Sequence, residues 1–344
     1  MEKSPDHYRF TIIQKIAPQM AALGIHKNGT WAVQKIIDIT KNQEHIQVIV
    51  EALRPYATAL LLDQFGNYVI QCCLRLGSVN NQFIFDAITC NIWEIGQGRF
   101  GARATKACLE SNHSTKEQQK QVSLAIVQNC VQLSMNSNGT ILLSWLLEVS
   151  VLPGRYRVLA PIMNPHINVL ACHKLASLSI LKISKTILVD VNNVIVNQRI
   201  ELDARDLMIL ELTKKENLAF ILADQLVGIP LMTKILSSCC INNQERDRVV
   251  ASIKQCLSPV LSQSRDIPVN YKRLMEEMSV GFEDHGSKGG APGLDSLSVA
   301  SAATTTPTTI KNNPVNTNNT GNSYNRGGYV LPTPSQSPQH YYRT

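Results

Sequence analysis

Aromatic residues make up only 6% of these 344 residues and charged residues 17%, while 44% are hydrophobic. A chain with so few charges and so much apolar material folds around a core rather than staying open by self-repulsion. No apolar run reaches the roughly 20 residues that a membrane-spanning helix needs, and MEKSPDHYRF does not read as a signal peptide. A soluble, cytoplasmic protein without a membrane span is the expectation. Alternating strand patterns are missing apart from an ambiguous VDVNNVIVN at 189–197. The nine cysteines include no CxxC pair, and most sit in apolar helical windows, Cys72–Cys73 and Cys239–Cys240 among them. That usage fits buried, reduced thiols better than disulfides or zinc ligands. Also missing are HxxxH and HExxH spacings, a P-loop, a GxGxxG after a strand and a GxSxG elbow. An enzyme is therefore not expected, nor a metal or a cofactor.

What is present is mostly helical. QVIVEALRPYATALLL, QKQVSLAIVQNCVQL and RDRVVASIKQCLSPVL place apolar residues three and four apart. Breaks are expected at Pro55, Gly77, Gly96–Gly98, Pro153–Gly154 and Pro165. Composition changes after residue 282 to Gly, Ser, Thr, Asn and Pro with almost no large aliphatics. Such a stretch cannot bury enough apolar area to offset its ordering entropy, so 283–344 is expected to be a disordered, low-complexity tail. The formal charge is +7, and the tail's cations and acids nearly cancel, so most of the excess falls in residues 1–282. A basic folded region leans toward an anionic partner without requiring one.

The informative signal is repetition. HKNGTWAVQKII (26–37), DQFGNYVIQCCL (63–74), QGRFGARATKACL (97–109) and SMNSNGTILLSWLL (134–147) share one grammar: a polar lead-in, a Gly, a small or polar residue, then an apolar helix. Aligned on the residue after the Gly, they give Thr30, Asn67, Ala102 and Thr140, at steps of 37, 35 and 38. Two weaker copies place Ser177 and Ile229 in the same register, the last after a step of 52 that implies an insertion near 183–205. Periods of this length with about three helical segments each predict an all-α solenoid of about six repeats, closed by capping helices at about 243–280.

Within each copy, the register residue, its successor and the residue four on share one surface of the helix. The triplets are Thr30/Trp31/Gln34, Asn67/Tyr68/Gln71, Ala102/Arg103/Lys106, Thr140/Ile141/Ser144, Ser177/Leu178/Leu181 and Ile229/Pro230/Thr233. The first two join a flat aromatic to amide or hydroxyl groups, and the third supplies a guanidinium plane. Flat groups one repeat apart can sandwich unstacked bases while amides meet the base edges. Other readings stand beside this one. Asn28 or Asn67 could simply cap a helix, Trp31 fits a core as well as a stacking surface, and Arg99, Arg103 and Lys106 could be a solvated face. His26 and His173 occupy equivalent positions and read as packing or lead-in residues. A protein-binding solenoid of armadillo or HEAT type is the alternative for the whole array. Recurrence of polar-plus-flat chemistry at constant register favours RNA.

DQFGNYVIQ resembles the repeat signature of the Pumilio (PUF) family of RNA-binding proteins, and the array over roughly 10–280 resembles the divergent fungal members with six recognisable repeats. The resemblance implies a right-handed superhelical crescent whose concave face binds single-stranded mRNA from 3′-untranslated regions, antiparallel to the protein. It implies that Asn67 and Gln71 read uracil with Tyr68 stacking, and that Thr30 and Gln34 read adenine with Trp31 stacking. Arg103 matches a stacking arginine. Ala102 and Lys106 depart from any base-reading pair, which leaves Lys106, like Arg99, for the backbone. Thr140 and Ser144 offer weak readout at most, and Ser177/Leu181 and Ile229/Thr233 have lost the code. The expected partners are short U/A-rich motifs, a second copy of the chain on paired motifs, and mRNA-decay or repression proteins.

Overall fold

The computed structural model describes residues 4–150, 152–184, 205–238, 243–261 and 267–279. The expected tail at 283–344, the strand-like stretch at 189–197, most of the insertion and the Cys239–Cys240 pair lie outside the described residues.

Among the described residues the protein is all helix. The first unit runs α1 (Asp6–Ile16), α2 (Met20–Gly24) and α3 (Gly29–Ile39), and the second α4 (Gln43–Leu53), α5 (Ala57–Leu62) and α6 (Gly66–Cys73). Then follow α7 (Gln82–Cys90), α8 (Ile92–Gln97) and α9 (Arg99–Leu109), and α10 (Lys116–Gln128), α11 (Cys130–Met135) and α12 (Gly139–Glu148). The fifth unit is α13 (Arg155–Met163), α14 (Ile167–Ala171) and α15 (Ala176–Ser184); the sixth is α16 (residues 205–213), α17 (Lys215–Ala223) and α18 (Gly228–Leu236). Two further helices, α19 (Asn243–Leu261) and α20 (Val269–Ser279), close the array.

The third helices of the units, α3, α6, α9, α12, α15 and α18, each pack against the next in order. This is the solenoid that the period predicts, with each unit burying its apolar side on its neighbours. Val33, Ile70, Ala104, Leu143 and Ile180 supply fully buried contacts along the row. At the far end, α20 packs on α18, and the Tyr271 hydroxyl donates to the Leu222 carbonyl at 2.7 Å, which seals the last unit.

In the first five units the bend between first and second helices has two chemical solutions. In units one, two and five, Pro18, Pro55 and Pro165 sit in single 3-10 turns that end the first helix, because proline has no N–H to continue it. Units three and four have no proline there. Asn91 and Asn129 end the helix instead, each side-chain amide donating to the carbonyl four residues back, at 3.1 and 3.0 Å. Gly77 and Gly154 take φ of 96° and 63° in the connections between units, as the expected breaks require. The break expected at Gly96–Gly98 does fall there, at Gly98 between α8 and α9, but not at Gly96 itself. Gly96 lies inside α8, where a Cβ would come within 2.8 Å of Leu133 Cδ2, so its role is close packing.

The repeated glycine before the register residue has a steric cause. A Cβ at Gly101 or Gly228 would stand 2.2 or 2.1 Å from the carbonyl oxygen of Ile95 or Ile221 on the preceding short helix. The long helix therefore starts tight against the short one, and that closeness sets the angle at which its face is presented.

Candidate nucleic-acid interface

The starts of five of the six stacked helices are held by a side chain four or five residues before the register residue; α9, which follows Gly98, has none. His26 Nδ1 accepts from the amides of Asn28 and Gly29 at 3.3 and 3.2 Å, and His173 Nδ1 does the same for Leu175 and Ala176. Asp63 Oδ1 takes the amides of Phe65 and Gly66, both at 2.7 Å, while Asn136 and Asp224 cap α12 and α18. The polar lead-in is thus the capping group. Asn28 and Asn67 carry no capping bond, so the capping reading of those two asparagines does not hold.

With the helix starts fixed, the three positions of the first three triplets take up distinct depths. The register residue is the deepest: Thr30 is 3% exposed and Asn67 6%, and Ala102, Ser177 and Ile229 are also buried. The next residue stands out from the surface, Trp31 at 72%, Tyr68 at 54%, and Arg103 likewise exposed. Trp31 is therefore no core residue. The third position, Gln34, Gln71 and Lys106, lies half-buried between them.

Hydrogen bonds tie these groups into a fixed array. Asn67 Nδ2 donates to the carbonyls of Asp63 and Gln64 at 2.8 and 3.1 Å, and its Oδ1 accepts from Gln71 Nε2 at 3.0 Å. In the first unit Gln34 Nε2 donates to Thr30 Oγ1 at 2.9 Å, and Thr30 Oγ1 reaches the Phe65 carbonyl of the next unit at 3.3 Å. Cys72 adds a longer contact, its thiol 3.7 Å from Gln34 Oε1; burial pushes that thiol up, with Arg75 pulling it back, so it stays a donor. Gln71 keeps its Oε1 and one amide hydrogen without a partner among the described residues. The glutamines are the groups placed to meet a ligand edge, and the register residues orient them.

The remaining units differ. Lys106 lies 3.7 Å from Glu110. Thr140 Oγ1 donates to the Ser137 carbonyl at 2.9 Å, Ser177 Oγ to Lys174 at 3.3 Å, and Thr233 Oγ1 to Ile229 at 2.9 Å. Ser144 is half-exposed. Ile141, Leu178 and Pro230 occupy the projecting position, with Leu178 at 56% exposure. Sequence reasoning missed two contributors, Cys72 and the capping row; the constant offset of His26, Asp63, Asn136 and His173 was the available signal.

Comparison with known proteins follows the same outline. Residues 19–54 and 58–89 match the Pumilio-family RNA binding repeat. Over 305 residues the chain is 39% identical to a Pumilio domain-containing protein of Schizosaccharomyces pombe, a region covering 88% of this chain and 43% of that protein. It is 36% identical to protein JSN1 of Saccharomyces cerevisiae over 289 residues, 81% of this chain and 25% of that one. The crystal structure of the PUM-HD domain of S. pombe Puf1 in complex with RNA matches with a TM-score of 0.67 at 40% identity, covering 80% of this chain and 70% of that one. The chain spans under half the length of these two curated relatives.

Proposed function

The chain belongs to the Pumilio family of RNA-binding repeat proteins, and from that premise we propose that it binds single-stranded mRNA through the face formed by α3, α6 and α9. The observation that carries this reading is the row of Trp31, Tyr68 and Arg103, flat and exposed at one register on three successively packed helices, with Gln34 and Gln71 beside them. Unstacked bases slot between such planes, and an amide that is already oriented loses little entropy on meeting a base edge.

The finer assignment follows the family pattern. Asn67 and Gln71 take a uracil beside Tyr68, and Thr30 and Gln34 take an adenine beside Trp31. Arg103 stacks without a base-reading pair, Arg99 meets the backbone, and Lys106, held 3.7 Å from Glu110, adds only a weak contact, as do Thr140 and Ser144. Stacking contributes about 1–3 kcal/mol per base, so three bases leave a single copy with modest affinity after ordering costs. Two copies on paired U/A-rich motifs gain through effective concentration. In the cytoplasm such a protein marks 3′-untranslated regions for decay or repression machinery.

Selection from a random single-stranded RNA pool tests this. A short U- and A-containing motif is expected, and Gln71→Ala relaxes one position of it. No enrichment at low salt would overturn the reading in favour of a peptide-binding solenoid, for which the apolar Leu178 and Leu181 of α15 offer the better surface.

A further inference from the structure

The two edges of the stacked-helix face use their charges differently. Three residues before the register position stand Lys27, Gln64, Arg99, Ser137 and Lys174, all exposed. Bonds between neighbouring units hold this amino-terminal edge together: Thr30 Oγ1 to the Phe65 carbonyl, and Asn138 Nδ2 to the Gln97 carbonyl at 2.8 Å. Lys27, Arg99 and Lys174 have no ion-pair partner among the described residues. The acids of this edge, Asp63 and Asp224, are turned onto backbone amides. At the carboxy-terminal edge most cations are paired, Lys234 of α18 being an exposed exception among the described residues. Arg75 pairs with Asp38, Lys106 with Glu110 at 3.7 Å, and Lys182 with Glu148 at 2.5 Å.

We propose that the amino-terminal edge carries the sugar-phosphate backbone of the bound RNA, with Lys27, Arg99 and Lys174 each holding a phosphate. The inference rests on the RNA-binding reading above and specifies which edge, and which cations, that reading uses. A cation already paired gives little to an incoming phosphate, since its carboxylate repels the anion. An unpaired, exposed one releases a condensed counterion from the RNA on contact. The three residues fall in units one, three and five. With one base per repeat, they meet about every second phosphate. Arg99 is also steadied at the edge, its guanidinium 5.8 Å from the centre of the Phe100 ring. The row continues past the units with reading chemistry. Lys174 holds the flank of the RNA over α15, where Ser177 and Leu178 offer no edge or plane to a base.

The test is the salt dependence of binding by the full chain to an RNA selected by the wild type. Each phosphate contact contributes a slope of about 0.7 in log K against log salt for single strands, so K27Q/R99Q/K174Q flattens the slope by about 2. Between about 50 and 200 mM salt the wild type then loses about 20-fold more affinity than the triple variant. Base preference is retained, and Lys182→Gln leaves the slope unchanged. Lys174→Gln alone keeps the affinity for the short motif and removes the gain from an added homopolymer flank. A triple variant with the full wild-type slope overturns the proposal, as does a Lys182→Gln variant that flattens the slope equally. Those outcomes concern a protein that binds RNA; a wild type that selects no RNA is the separate failure of the function reading.

Discussion

Trp31→Ala separates binding from folding with the least ambiguity. The side chain is 72% exposed, so its removal opens no cavity. A Trp side chain can bury up to about 250 Å², which leaves about 180 Å² open here. A base lying on one face covers about half of that, and at about 25 cal/mol per Å² the contact is worth about 2 kcal/mol. The figure sits in the middle of the range for base–aromatic stacking. Affinity for the selected RNA should therefore fall about 30-fold, since about 1.4 kcal/mol is a factor of ten.

Fluorescence anisotropy with labelled RNA measures that loss, and thermal unfolding checks that stability moves by less than about 0.5 kcal/mol. Trp31→Phe should recover part of the affinity, because a smaller ring still stacks. Leu178→Ala is the internal control. It removes a side chain of similar exposure at the same register two units beyond the polar region, and it should cost little RNA affinity. Unchanged RNA affinity in Trp31→Ala, or an equal loss in Leu178→Ala, would refute stacking at the projecting position.

Gln71→Ala should relax base preference at one position at a cost of about 1–3 kcal/mol, read out by repeating the selection. Asn67→Ala should instead lower stability by about 1–2 kcal/mol, since it also abandons the carbonyls of Asp63 and Gln64 in the turn before α6; urea unfolding distinguishes the two variants. Asp63→Ala removes the cap of α6 and should cost about 1–2 kcal/mol in the same assay. Burial pushes the thiols of Cys108 and Cys130 up to about 12 from an ordinary 9.0. The folded state thus keeps protons that the unfolded state releases above about pH 9, and stability should fall by about 1 kcal/mol per thiol between about pH 8 and 10. Unfolding curves over that range check the sign, and Cys108→Ala should flatten the dependence.

The architecture was legible because a solenoid repeats its own pattern. The steps from Thr30 to Ser177 located five of the stacked helices, and Ile229 located the sixth despite the longer step. Depth was not legible. Helical geometry places Asn67, Tyr68 and Gln71 on one surface, but only the packing of α6 between α3 and α9 shows that Asn67 lies beneath Gln71 while Tyr68 stands clear. The capping groups were not legible either: Asn28 and Asn67 were the candidates weighed, whereas His26 and Asp63 do the capping, because a preference for Asn at helix starts says nothing about which side chain reaches the free amides. The bends at Asn91 and Asn129 were invisible for a related reason. Asn ends these helices by turning its amide back onto the carbonyl four residues earlier, and the residue type alone does not show that it will. The break at Gly96–Gly98 was legible, but the packing role of Gly96 was not, because close approach to Leu133 leaves no mark in the local sequence.

The same bonds explain why the two halves of the face differ. In units one and two the buried register residue spends its polar atoms on orienting a glutamine: Thr30 accepts from Gln34, and Asn67 from Gln71. Part of the ordering cost of recognition is met during folding, and the amide meets its ligand already aimed. In units four to six the hydroxyls of Thr140, Ser177 and Thr233 turn back onto carbonyls three or four residues earlier in the chain. That bond satisfies a polar group while presenting nothing outward, and Ser144, Leu181 and buried Thr233 at the third position receive no such support. Restoring readout to unit four therefore takes two changes rather than one. Ser144→Gln alone adds a mobile side chain with no partner beneath it. Thr140→Asn with Ser144→Gln rebuilds the pair found in unit two, and with Ile141→Tyr it adds the missing plane. The pair of substitutions should sharpen selection at one additional position, by more than the sum of the single changes. An additive result would mean that the buried residue does not orient the glutamine.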